Sequence, residues 1–228
     1  LVEGDVRTGA DTLLGGDKSF NDLYGDGFDL QSSIATGRDV LIGGRGFYNA
    51  LFGDAYFLDA YGGDDWLQGG AESENQLHGD ARFLSEHGGN DTLVASNSGT
   101  NALYGDAYEM EGSSVGGNDM LISGRADDDM WGDAAVREVD LTTGGSDIFV
   151  FRRDNGTDTI HDFEQGKDII ELRNFGRPWN PWKFEDLSIT TTADGSVIAF
   201  ADGSSITVMG IYDLMIDDVR FRFDPLLG

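Results

Sequence analysis

From Gly9 to Phe149 one short pattern is written five times and begun a sixth, and a chain with that period has few ways to fold. The first element is an aspartate followed two places on by an apolar residue: Asp11-Thr12-Leu13, Asp39-Val40-Leu41, Asp65-Trp66-Leu67, Asp91-Thr92-Leu93, Asp119-Met120-Leu121 and Asp147-Ile148-Phe149. These aspartates step by 28, 26, 26, 28 and 28 residues. A second element lies inside each unit: Leu23-Tyr24-Gly25-Asp26, Leu51-Phe52-Gly53-Asp54, Leu77-His78-Gly79-Asp80, Leu103-Tyr104-Gly105-Asp106 and Met130-Trp131-Gly132-Asp133. Such a repeat cannot bury its apolar face alone, so neighbours stack and the chain becomes a solenoid.

The repeat divides further. Leu13 to Leu23 is 10 residues, as are the next three such steps, and Leu121 to Met130 is 9. The return step is 16 to 19 residues, a nonamer carrying an insertion of roughly seven to ten. Gly88-Gly89-Asn90-Asp91-Thr92-Leu93 and Gly116-Gly117-Asn118-Asp119-Met120-Leu121 resemble the nonapeptide G-G-x-G-x-D-x-U-x of the calcium-binding RTX (haemolysin-type) repeats. No single copy is perfect, and the specificity lies in the recurrence. The resemblance implies an all-β chain: a right-handed parallel β-roll or β-helix with inserted loops, then a C-terminal sandwich-like β cap.

In such a roll each half-turn is a short strand followed by a tight ion-binding turn. Glycines admit positive φ and let carbonyls approach the ion. Calcium takes 6–8 oxygens, from carboxylates and main-chain carbonyls. The expected ligands are Asp11, Asp39, Asp65, Asp91, Asp119 and Asp147, for several Ca2+ ions shared between coils. Asp26, Asp54, Asp80, Asp106 and Asp133 have two readings, as further ligands or as structural carboxylates at the coil corner. The apolar residues should form two facing ladders, Leu13 to Phe149 and Leu23 to Met130. Two places before the second ladder stand Asn21, Asn49, Asn75, Asn101 and Asp128. That side either binds calcium more weakly, with Asp128 among its ligands, or forms a hydrogen-bonded asparagine ladder.

The residue after each inward position should face outward, yet it is often apolar: Leu14, Ile42, Val94 and Ile122 on one side, Tyr24, Phe52, His78, Tyr104 and Trp131 on the other. Soluble monomers avoid large exposed apolar patches. Three coverings are open. The inserts, which carry apolar side chains of their own, fold back over one face. Polysaccharide stacks on Tyr24, Phe52, Tyr104 and Trp131. A protein partner docks there.

After Phe149 come Asp147-Ile148-Phe149-Val150-Phe151, Gly156-Thr157-Asp158-Thr159-Ile160-His161-Asp162-Phe163 and Gly166-Lys167-Asp168-Ile169-Ile170-Glu171-Leu172. These resemble the segment that follows RTX repeats in type I secreted proteins. The resemblance makes Asp158, Asp162 and Asp168 ligands of another calcium; otherwise they are hairpin-turn aspartates. Alternation across Asp-Gly turns between Leu187 and Met209 signals antiparallel hairpins. An open solenoid end needs such a cover. Residues 223–228 are a candidate export signal.

Composition excludes much. A net charge of -27 argues against nucleic acid, which needs a basic face. There are no cysteines, so disulfides, thiolate metal sites and Cys nucleophiles are absent. No apolar run is long enough to span a membrane. His78, His87 and His161 fall in no zinc spacing. With 42 acidic residues, a carboxylate pair at glycosidase distance carries no information. The expectation is a non-catalytic calcium-binding module: residues 1–149 are the β-roll and 150–228 the cap with a secretion region. The resemblance places it outside or on the surface of a Gram-negative bacterium, with the type I secretion machinery as partner. It would fold on calcium binding after secretion and stabilise or display an activity carried N-terminally. The alternative is a carbohydrate-binding accessory module of a polysaccharide-active enzyme or adhesin.

Overall fold

The apolar residue of each of the five complete first elements sits at the centre of a three-residue strand, and these strands stack. In the computed structural model, which describes residues 8–138 and 141–223 (backbone alone at 32–34), they build a parallel β-solenoid of about five turns with almost no helix. The candidate export signal, apart from Phe223, lies outside the described residues, as does the lead-in before Thr8.

Leu13, Leu41, Leu67, Leu93, Leu121 and Phe149 pair in register across the first sheet. Leu23, Leu51, Leu77, Leu103, Met130 and Ile160 do so across the second. The two ladders meet in a single core. Eight strands form the first sheet, running from Thr12–Leu14 to Ile148–Phe151 and then Ile169–Arg173 and Val219–Arg222. Nine form the second, from Phe20–Tyr24 to Thr157–Ile160, then Ser205–Met209, Gly195–Ala199 and Ser188–Thr191. The C-terminal segment therefore extends both sheets of the roll. Phe151, Phe163, Phe175, Ile206 and Val208 carry the same core onward. In the second sheet only Gly195–Ala199 runs against the rest, pairing antiparallel with Ser205–Met209 and Ser188–Thr191 across the Asp-Gly turns.

The inserts are strands rather than loops. Gly27–Ala35, Ala55–Tyr61, Ala81–Leu84, Ala107–Met110 and Ala134–Arg137 pair in parallel as a third sheet. Small and long apolar residues alternate in its own core, which holds Ala55, Leu58, Ala81, Leu84, Ala107 and Met110.

This sheet closes over the aromatic row. Tyr24, Phe52, His78, Tyr104, Trp131 and His161 stack with ring centroids 5.0, 4.7, 4.6, 4.7 and 4.1 Å apart. That spacing is the one parallel strands impose. Tyr56 meets Phe52 edge-on at 5.7 Å, and Tyr108 meets Tyr104 edge-on at 5.6 Å. The Arg82 guanidinium lies 3.6 Å from the Tyr108 ring centroid. Of the residues expected as a glycan platform, Phe52 and Tyr104 are buried and Tyr24 and Trp131 partly exposed. Covering the row removes more apolar area from water than leaving it open.

Two outcomes follow. Leu93→Ala should lose about 2–5 kcal/mol, against within about 0.5 kcal/mol for Glu109→Ala on the third sheet, as read by urea unfolding in calcium. His78 is fully buried with both ring nitrogens unpartnered. His78→Phe should therefore raise stability by about 1 kcal/mol or more in the same assay.

Candidate metal centre

The chain leaves the second sheet at a Gly-Asp corner, makes its third-sheet excursion and re-enters the first sheet through the next aspartate. Each corner carboxylate ties the neck of that excursion. The Gly37 N–H donates to Asp26 Oδ2 at 2.7 Å, Gly63 to Asp54 Oδ2 at 3.1 Å and Gly89 to Asp80 Oδ1 at 2.8 Å. Gly117 donates to Asp106 Oδ1 and Gly145 to Asp133 Oδ1, both at 2.6 Å. The necks enclose 11, 9, 9, 11 and 12 residue steps in chain order.

The first-element aspartates bond along the axis instead. Oδ1 of Asp39, Asp65, Asp91, Asp119 and Asp147 accepts the main-chain N–H of the equivalent aspartate one coil earlier, at 2.6–2.9 Å. From Asp26 and Asp39 onward each carboxylate in both columns thus has one oxygen fixed by backbone. The other oxygen is a different matter. Asp39 Oδ2, Asp65 Oδ2, Asp91 Oδ2 and Asp119 Oδ2 are buried without a hydrogen-bond partner, and so are Asp54 Oδ1, Asp80 Oδ2 and Asp106 Oδ2. Carboxylate oxygens of Asp11, Asp26 and Asp39 lie within 4.8 Å of one another, as do those of Asp39, Asp54 and Asp65. The strand register sets Asp65, Asp80 and Asp91, and Asp91, Asp106 and Asp119, at the equivalent positions of the next coils. Only glycine fits the corner: a Cβ on Gly53 or Gly79 would collide with the Asp65 or Asp91 Oδ2 and with the next coil's glycine carbonyl.

The electrostatics follow from burial. Asp39 is pushed up to about 6 by burial, with Asp26 and Asp11 adding to it. Burial lifts Asp54 to about 7, and burial with the Asp54 charge lifts Asp65 to about 9. Asp80, Asp91, Asp106 and Asp119 are raised well above the ordinary range, by burial first and then by one another. Asp147 rises to about 10 for the same reasons.

The remaining candidates stand elsewhere. Asn21, Asn49, Asn75 and Asn101 form an asparagine ladder, each Nδ2 donating to the next Oδ1 at 2.8–2.9 Å. Asp128 ends it, taking the Asn101 amide on Oδ1 and the Gly124 N–H on Oδ2. Asp158 joins it, accepting from Asp128 N, Asn155 and Ser123. Asp162 accepts the Gly132 and Asp133 N–H groups. Asp168 ends the axial column, accepting from Asp147 N and Glu164 N. These four carboxylates have both oxygens engaged by protein donors and join none of the unpartnered oxygens. The sequence reading missed Arg137, whose guanidinium pairs with Asp133 and Glu164. The signal was present four residues after each corner aspartate, where Leu30, Leu58, Leu84 and Met110 precede Arg137 in register.

The family model described as Peptidase M10 serralysin C terminal matches residues 35–219, well over half the chain. The chain belongs to this family. No curated protein gives a significant match. The serralysin C-terminal domain is the RTX-type β-roll region, whose repeats bind Ca2+. It is a structural repeat module and not the catalytic domain of those peptidases. Such domains belong to secreted proteins of Gram-negative bacteria. The donors here suit that ion: oxygen only, anionic, paired with glycine corners, and orphaned without it.

The raised carboxyls set an unusual pH dependence. A folded pKa above the unfolded one gives stability that is present below about pH 4 and lost as pH rises through the folded values of about 6, 7 and 9. His78, held down to about 3 by burial, acts in the opposite sense, but as one group against the many raised carboxyls. In chelator the melting temperature should therefore fall between pH 5 and pH 8. In excess calcium it should rise over the same window, because the ion requires deprotonated ligands. Calorimetry at matched ionic strength checks both slopes.

Proposed function

We propose that this chain is a calcium-driven folding module of a larger extracellular protein, stabilising or displaying an activity carried elsewhere on that protein. The observation that carries the reading is the double column of buried, half-satisfied carboxylates. Asp11, Asp26, Asp39, Asp54, Asp65, Asp80, Asp91, Asp106 and Asp119 would hold the ions between successive coils. Residues 1–149 are the calcium-binding repeats, and 150–228 the cap and secretion region. Bound calcium supplies the positive charge that turns repulsion between the columns into cohesion.

The chain's own part is to present oxygens in register and keep water out. Neighbouring strands stand about 4.8 Å apart. Like charges at that separation repel by roughly 3–4 kcal/mol per pair at an effective dielectric of 20. Several such pairs exceed what two ladders of single side chains offset, so binding free energy becomes folding free energy. Low calcium inside the cell keeps the chain threadable through a type I exporter, and high calcium outside folds it.

The test is circular dichroism and calorimetry in EGTA and then in millimolar calcium. A cooperative gain of β signal is expected, with stabilisation of about 2.7 kcal/mol per site at a hundredfold excess over Kd. Asp91→Asn with Asp119→Asn should move the calcium midpoint upward. Equal melting temperatures with and without calcium would sink the mechanism while leaving the fold.

A further inference from the structure

The carboxylate columns do not end as they begin. In the earlier coils the fourth residue after the corner aspartate is apolar and packs in the third-sheet core, as Leu58, Leu84 and Met110 do. The second oxygen of the corner carboxylate is then left bare, as at Asp54, Asp80 and Asp106. In the fifth coil the same register position holds Arg137, paired with Met110 of the preceding strand. Its side chain turns back to the neck. Nη1 donates to Asp133 Oδ2 at 2.9 Å and to Glu164 Oε1 at 3.0 Å, and lies against the Gly144 backbone. Glu164 is held in turn by Lys167. Asp133 thereby has both oxygens engaged, one by the Gly145 N–H and one by the guanidinium.

We propose that Arg137 is a resident cation that takes, in the fifth coil, the place divalent ions take between the columns of the earlier coils. The fifth trio, Asp119, Asp133 and Asp147, is closed by protein charge, and ion binding is confined to the trios before it. A guanidinium suits this role because it is always charged, and here its Nη1 meets two carboxylates at once. One apolar-to-Arg exchange within an otherwise constant column converts an ion site into an ion pair. The C-terminal end of the repeats, where the cap begins, is then fastened independently of the calcium concentration.

This inference rests on the calcium reading above, and the experiment separates the two. Calcium bound per chain is counted by equilibrium dialysis, and the slope of unfolding stability against log calcium is measured beside it. Arg137→Leu restores the residue type of the other coils and should bind about one further ion per chain, with a correspondingly steeper slope. Arg137→Lys, which keeps the charge, should leave the count unchanged. Met110→Arg, the reverse exchange one coil earlier, should bind about one ion fewer. An unchanged count in Arg137→Leu overturns the proposal while a calcium-dependent parent chain upholds the reading beneath it. Should Arg137→Leu fail to fold even in calcium, Met110→Arg decides, and a parental count there overturns the proposal. A parent chain that binds no calcium removes both.

Discussion

Like charges held in file, out of water, are the constraint on which this molecule depends. Parallel stacking brings each aspartate above its equivalent, and the main-chain N–H groups that each carboxylate caps prevent it from turning away. The same bonds that build the corner force the remaining oxygens into a dry seam. Everything apolar in the fold works against that cost. The first core is two ladders of single side chains, lengthened by the cap, and the second is a narrower column of alanine with leucine or methionine. The seam lies between them, so its state governs whether the two cores are held together at all.

The opposite corner of the roll solves the same stacking problem without charge. Side-chain amides donate to the next coil and accept from the previous one, and each also closes its own turn, as Asn49 does with Gly44. A neutral amide is both donor and acceptor, so it can repeat indefinitely along an axis. A carboxylate is an acceptor only, so its column needs an outside partner. That chemical difference makes one corner self-sufficient and the other conditional.

Much of this was legible in the sequence. The period fixed both ladders, and each pair stands in the register that the spacing implies. The three acidic elements after Phe149 were legible through their resemblance to the segment that follows RTX repeats, and the last of them ends the axial column at Asp168. The inserts were harder. Their apolar residues announced burial, but strand character arises only when five of them lie side by side, which no single insert displays. The aspartates with both oxygens engaged could not be told from the conditional ones by residue type. Only the count of donors around each oxygen distinguishes Asp128, Asp158, Asp162 and Asp168 from Asp91. Arg137 is hidden for another reason: its meaning comes from the four coils above it, where the same register position is apolar.

The necks tied by Asp26, Asp54, Asp80, Asp106 and Asp133 have a consequence for how such a chain can change. The same bond is made whether the excursion is short, as at Asp54, or long, as at Asp133. Extra length is taken up in the outer lobe, and the pitch of the roll never registers it. The fold is thus divided into a frame that counts residues strictly and a margin that does not. Insertions, deletions and new surface chemistry can accumulate along that margin, while the frame keeps its ions in line.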